Sequence, residues 1–209
     1  MKNIENWNNF IKEFSEKILP IYEHHESTFD TYRVHGRLHI SRSIIFAEFM
    51  TRYYNELRLN VDFDAIRYAV SFHDAGRKGN GIDLWEADSS NLCLTYLSEK
   101  YDLNYCKYIA NLIKKDNNLD INKKIVIDAD VLEIIRPVCG HGGIDGFNSK
   151  YLNFSPEHKE IRNNLINDAW KLIKYTEDNQ NMFTGNDHLY QILDILDKNR
   201  KDYILLDRF

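Results

Sequence analysis

The chain has 209 residues, 43% of them apolar, enough for one domain with a substantial core and too few for a second independent one. A net charge of -5, with both signs mixed along the sequence, argues against a nucleic-acid-binding surface, which would show a basic excess. No apolar run approaches the roughly 18 residues of a membrane span, and the polar start Met1-Lys2-Asn3-Ile4-Glu5-Asn6 lacks a signal-peptide core. Cys93, Cys106 and Cys139 are odd in number and unpaired in spacing, which favours free thiols and a cytoplasmic protein where it is made.

Ile4, Trp7, Phe10, Ile11, Phe14 and Ile18 recur at helical spacing, which predicts a first helix from about Asn3 to Leu19, broken by Pro20. From Tyr22 to Tyr32 no period is visible, and His24-His25 reads as a solvated loop pair. Val34-His35-Gly36-Arg37-Leu38-His39-Ile40-Ser41-Arg42 then leads into a second long helix beginning near Leu38. His35 lies just outside it, His39 falls in its first turn, and Arg42 follows one turn later on the same side. Two imidazoles and a guanidinium at a helix N-terminus make an anion-binding arrangement, although a histidine taken alone at such a place is more often there for capping and packing than for catalysis.

A third helix, Phe63 to His73, carries Ile66, Ala69 and Val70 inward and ends in His73-Asp74. A carboxylate and an imidazole leaving a buried helix end need strong partners. Glycines 76, 79 and 81 force a loop, and a fourth helix is expected from Asp83. There Glu86 is either a capping residue closing back on Asp83 or a functional carboxylate. Leu92 to Leu97 continue that helix, and Tyr105, Ile109, Leu112 and Ile113 form a fifth, stopped near Asp116-Asn117-Asn118.

Ile125 to Pro137 is apolar on nearly every side yet holds Asp128 and Asp130 at its centre; a buried helix ended by Pro137 fits better than a strand. Gly140-His141-Gly142-Gly143-Ile144-Asp145-Gly146 suits a backbone passing close to a ligand, with a plain surface loop as the alternative. Ser155-Pro156-Glu157 is an N-cap with proline at the first helical position of a long helix, and Asn186 opens the last. The expectation is an all-α single domain over residues 1–209, of about eight helices.

His39, then His73-Asp74, then Asp130 stand in the order that resembles the HD-domain phosphohydrolases, an all-helical superfamily in which a spaced His, His-Asp and Asp ligate metal. The match covers about Tyr32 to Arg136. Asp130 rather than Asp128 fits the family position because Val131-Leu132 follow it. Two neutral imidazoles and two carboxylates suit a divalent transition metal that activates water against phosphorus.

His35-Gly36-Arg37-Leu38-His39, the run Phe72 to Glu86, Asp130-Val131-Leu132-Glu133-Ile134 and Gly140-His141-Gly142-Gly143 together look like the SidE-type phosphodiesterase domains of bacterial effectors. Those domains split the pyrophosphate of ADP-ribosylated ubiquitin and make or remove phosphoribosyl-serine linkages. The resemblance implies a phosphodiesterase in which His35 is the nucleophile, His141 the general acid, Glu86 an orienting carboxylate and His39 a supporting imidazole. It implies ADP-ribosylated or phosphoribosylated ubiquitin as partner, no cofactor, and translocation into a host cell as an effector. The relatives carry an additional helical lobe, whereas 209 residues hold little more than the catalytic one.

Arg37, Arg42, Arg77 and Lys78 are the candidates for phosphate contacts, because guanidinium forks and an ammonium near helix ends complement phosphate oxygens. Two other functions stay open: a metal-dependent HD hydrolase of nucleotides, with metal on His39, His73, Asp74 and Asp130, and a degenerate domain that only binds ADP-ribose or a nucleotide.

Overall fold

A computed structural model of the chain describes residues 2–80, 84–114, 120–139, 147–179 and 186–207. These form α1 (Lys2–Glu13), α2 (Leu19–Thr28), α3 (Arg37–Glu56), α4 (Phe63–Phe72), α5 (Glu86–Leu97), α6 (Leu103–Ile113), α7 (Ile121–Cys139), α8 (Lys159–Asp178), α9 (Asn186–Asp197) and α10 (Arg200–Asp207). With α1 and α2 taken together through the helical turn that joins them, and α9 and α10 taken together across a two-residue turn, they make the expected eight, and no strand occurs among the described residues.

α3 is the axis of the bundle. Between His39 and Tyr54 only Ser41 and Arg52 are not fully buried, so this helix is covered on all sides, as a central core helix must be. α4 and α7 pack against it and against each other, α5 and α6 pair outside α4, and α9 closes the far side. One apolar cluster runs from Trp7 on α1 to Ile204 on α10. The polar groups that α3 takes inside are matched: Glu48 receives Arg67 Nε at 2.8 Å and Nη2 at 2.9 Å, and the Arg67 guanidinium also lies over the rings of Trp7, Phe10 and Phe63. A carboxylate-guanidinium pair at this depth is tolerable because both hydrogen bonds are made and aromatic faces cover the cation. At the C-terminal end, Asp207 accepts from Tyr53 Oη at 2.5 Å and Ser155 Oγ at 3.2 Å, and pairs with His158 Nε2 at 2.8 Å, which fixes α10 to α3 and to the start of α8.

Several boundaries differ from the sequence reading, each for a local reason. Pro20 does not stop the first helix. The residues before it, Phe14–Ile18, form a π-helical turn in which Leu19 N–H reaches back to Phe14 O, and proline follows in the first turn of α2, where its missing N–H is harmless. The segment expected to be a loop is therefore helical to Thr28, with His24 exposed but His25 buried between Tyr22 and Phe29. α7 likewise runs through Pro137 to Cys139, since a proline in the last turn forfeits one hydrogen bond only. The next long helix starts at Lys159 rather than at Pro156, and Ser155 instead takes a left-handed φ of 44°, its side chain on Asp207. α5 begins at Glu86 with Trp85 as its N-cap, so Glu86 is the first helical residue and not the third position of a capping box. Asp83 and the Asp116-Asn117-Asn118 stop lie outside the described residues.

The turn after α4 brings Gly76 onto α5. A Cβ there would sit 2.4 Å from Ser89 N and 2.7 Å from the Asp88 carbonyl carbon, and Gly76 N–H donates to Ser89 Oγ at 2.9 Å. Because the obstruction is backbone, α5 must move to admit a methyl group. Gly76→Ala should cost about 1–3 kcal/mol of stability, read as a lower denaturant midpoint at unchanged m-value. A midpoint within error of the parent protein would show that the α4–α5 contact is not tight.

Candidate functional site

The site is assembled where the start of α3, the end of α4 and the middle of α7 meet. The approach to α3 is a turn held by carboxylates: Asp30 accepts from Val34 N–H at 2.9 Å and His35 N–H at 2.8 Å, and Glu26 accepts from Arg37 N–H at 2.7 Å. Gly36 between them has extended backbone; its role is space, since a Cβ would lie 2.4 Å from Glu26 Oε1. This explains the glycine in His35-Gly36-Arg37.

Three imidazoles then meet one carboxylate. His35 Nδ1 is 2.9 Å from Asp74 Oδ2, and His39 Nε2 is 3.3 Å from the same oxygen. His39 Nδ1 is fixed on Glu133 Oε2 at 2.9 Å, and His73 Nδ1 donates to Val70 O at 2.7 Å. With both Nδ1 atoms engaged, the two Nε2 atoms turn toward each other, 3.1 Å apart, and Asp130 Oδ1 stands 3.7 Å from His39 Nε2 and 3.6 Å from His73 Nε2. Asp74 Oδ1 takes Arg77 Nε at 2.9 Å. Glu133 is in turn held by Arg42 Nε at 2.9 Å and Arg136 Nε at 3.2 Å, and Arg42 Nη1 continues to Thr176 Oγ1 at 3.0 Å.

Burial would push these groups toward neutrality, and their partners outweigh it. Burial lowers the His39 imidazole, but Glu133 and Asp74 hold it up at about 10. Burial likewise lowers His73, and Asp74 and Asp130 raise it above the ordinary value. Burial raises Asp74, yet the His73, His35 and His39 imidazoles keep it well below the usual carboxylate range. Glu133 is depressed in the same way by Arg42, His39 and Arg136 against the effect of burial. His39 thus stands between two carboxylates, Nδ1 on Glu133 and Nε2 facing Asp74 and the His73 Nε2, which favours its protonated form.

The donor set also fits a divalent transition metal. His39, His73 and Asp130 offer ligand atoms all within 4.8 Å of one another, and His35, His39 and Asp74 do the same. Each of the two facing imidazoles has its other nitrogen on an oxygen acceptor, the arrangement that fixes the tautomer of a metal-binding histidine. Such an ion would replace the His39 proton as the positive charge among Asp74, Asp130 and Glu133.

The structure brings His35, His39, His73, Asp74 and Asp130 together. His141 lies outside the described residues. Glu86 is half-buried at the head of α5, on the stripe it shares with buried Ser90, Cys93 and Leu97, and so on the inward side of that helix. The four cations expected to meet phosphate already hold carboxylates. Arg42 is 2% exposed and bound to Glu133, and Arg77 is 5% exposed and bound to Asp74, so both are internal charge partners rather than open phosphate contacts. Arg37 is clamped by Glu26 at 2.8 Å and Glu23 at 3.2 Å, while Lys78 pairs with Asp88 at 2.6 Å on the surface.

Glu133, Arg136 and Asp30 escaped the sequence reading as site residues. Glu133 and Arg136 were detectable in principle, since they follow Asp130 at successive three-residue steps along one face of α7. Compared with family models, curated proteins and solved structures, the chain matches none.

The sign of the His39 shift gives a pH dependence. A group held up from 6.5 to about 10 contributes stability that is complete below its unfolded value and is lost as pH rises toward the folded one. In protein freed of divalent ions by chelation, the melting temperature should fall between pH 6.5 and about 10. Glu133→Gln removes the strongest upward pull and leaves Arg42 and His39 facing an uncharged amide. It should move that fall to lower pH and cost about 3–5 kcal/mol near neutrality. Coincident pH-melting curves for the two proteins would remove Glu133 from this role.

Proposed function

We propose that the chain is a phosphodiesterase that opens a phosphodiester or pyrophosphate bond of an ADP-ribosylated or phosphoribosylated protein, ubiquitin being the expected one, with His35 as nucleophile. The observation that supports this most is the 2.9 Å contact of His35 Nδ1 with Asp74 Oδ2. A proton held on Nδ1 by that carboxylate leaves the lone pair on Nε2, and the side chain, at 22% exposure, can be reached from solvent while the adjoining Asp74 and His39, at 5% and 3%, cannot. The sequence resemblance to SidE-type domains supplies the substrate class.

In this reading His35 Nε2 attacks phosphorus, a P–N bond forms, and the P–O bond to the leaving group breaks. The leaving oxygen takes its proton from His141, the role the resemblance gives that residue. Water or a serine hydroxyl then attacks the same phosphorus, returning a proton to His141 as the P–N bond breaks and His35 is released. Asp74 balances the growing positive charge on the His35 ring, and Arg77, fixed on the other oxygen of that carboxylate, keeps it aimed. His39 supports Asp74 from the inner side. Glu86, on the inward face of α5, is the orienting carboxylate in this scheme.

A second reading, metal-dependent hydrolysis of nucleotides, is favoured by the facing Nε2 atoms of His39 and His73 with Asp74 and Asp130 beside them. Those four residues would hold the ion, which would supply positive charge against phosphoryl oxygens and a water of lowered pKa.

Turnover of ADP-ribosyl-ubiquitin and of a simple phosphodiester, with and without exhaustive chelation, separates the two readings. The first predicts retention of most activity after chelation. It also predicts loss of turnover by on the order of 10² or more in His35→Ala, and an acid-labile phosphate on His35 in His141→Ala given an activated substrate. Complete loss on chelation, restored by a divalent transition metal, transfers the assignment to the second reading. Near wild-type turnover in His35→Ala excludes covalent catalysis at this position.

A further inference from the structure

The three main-chain polar groups that immediately precede the His35 Cα are each bound by a charged side chain. Val34 N–H and His35 N–H donate to the two carboxylate oxygens of Asp30, at 2.9 and 2.8 Å, and Val34 O accepts from Arg136 Nη2 at 2.8 Å. Asp30 is 0% exposed, and its own carbonyl closes the turn by accepting from Arg33 N–H at 2.8 Å. Arg33 has a φ of 55°, a left-handed conformation that an arginine keeps only where its surroundings impose it. A charged group buried this completely is costly unless its hydrogen bonds are made, and the two N–H groups of this turn are the ones it accepts from.

Resting on the reading of His35 as nucleophile, we propose that Asp30 is a positioning residue for the reaction. It touches neither substrate nor imidazole. It fixes the Val34–His35 peptide, and with it the origin of the His35 side chain, so that Nδ1 falls on Asp74 Oδ2 and Nε2 stays aimed outward. Arg136 braces the same peptide from the opposite side, with its guanidinium on Glu133. Loosening the peptide would let the ring swing off Asp74, and a misplacement of about 1 Å is enough to cost on the order of 10² in rate.

Asp30→Asn in the full chain tests this. The amide has the shape of the carboxylate but one acceptor atom, so it can hold one of the two N–H groups and opposes an NH₂ to the other. Hydrolysis of bis(p-nitrophenyl) phosphate should show kcat per folded molecule reduced on the order of 10- to 100-fold, with KM changed by less than about 3-fold. Nitrogen-15 spectra of the imidazoles should show the His35 ring losing its single Nδ1-protonated form and averaging between tautomers. A merely structural aspartate would lower the melting temperature and leave both readouts at wild type, and that result overturns the proposal. If the wild-type chain hydrolyses no phosphodiester, it is the function that fails, and the His35 ring signal still decides the part played by Asp30. Should the variant not fold, amide hydrogen exchange in the wild-type protein decides instead: Val34 and His35 must be protected, and exchange as fast as that of exposed Tyr32 overturns the proposal.

Discussion

One buried carboxylate, Asp74, answers three imidazoles and a guanidinium, and the geometry of the site follows from how those four claims are divided. Oδ1 belongs to Arg77, and Oδ2 is shared among His35 at 2.9 Å, His39 at 3.3 Å and His73 at 3.7 Å. A carboxylate at 4% exposure could not stay ionised alone. It is ionised because cations and N–H donors surround it, and those donors are ordered because it is ionised. The start of α3 and the end of α4, which bring these groups in, are therefore fixed relative to one another by charge as well as by apolar packing.

A second carboxylate repeats the scheme one layer deeper. Glu133 binds the far nitrogen of His39 and two arginines, so His39 stands between two anions and becomes the residue through which the layers communicate. Such a stack needs one positive charge at its centre. An imidazolium proton and a metal ion are alternative ways of providing it, and the protein's own side chains are compatible with both. His35 lies on the outer edge of Asp74, its Nδ1 on Oδ2.

Much of this arrangement was legible in the sequence. The period of apolar residues gave α3, α4 and α7, whereas the inner residues His39, His73-Asp74 and Asp130 were picked out only by the resemblance of their order to the HD-domain pattern, since residues on different helices share no period. The supporting residues were harder to see. Asp30 acts through backbone N–H groups, which leave no pattern of residue types, and Glu133 was quoted within a motif but given no role of its own. The errors at Pro20 and Pro137 share one cause: proline forbids a hydrogen bond rather than a helix, and whether a helix continues depends on whether that bond was needed. Arg42 and Arg77 looked like ligand-binding cations because sequence shows the charge and not its partner.

The helical stretch from Lys2 to Thr28 carries none of the motif residues, yet it contributes Glu26 beneath Gly36 and leads directly into Asp30, and its Tyr22 hydroxyl donates to Ser71 O at 2.7 Å behind the His73-Asp74 turn. The recognisable motifs begin near Tyr32. A boundary drawn by similarity of motifs would therefore cut between His35 and the carboxylates of Glu26 and Asp30 that hold its turn, leaving a fragment with the full complement of conspicuous residues but without those hydrogen bonds. For this architecture the smallest autonomous unit is larger than its signature, and any search for shortened or permuted forms has to carry the leading helix along.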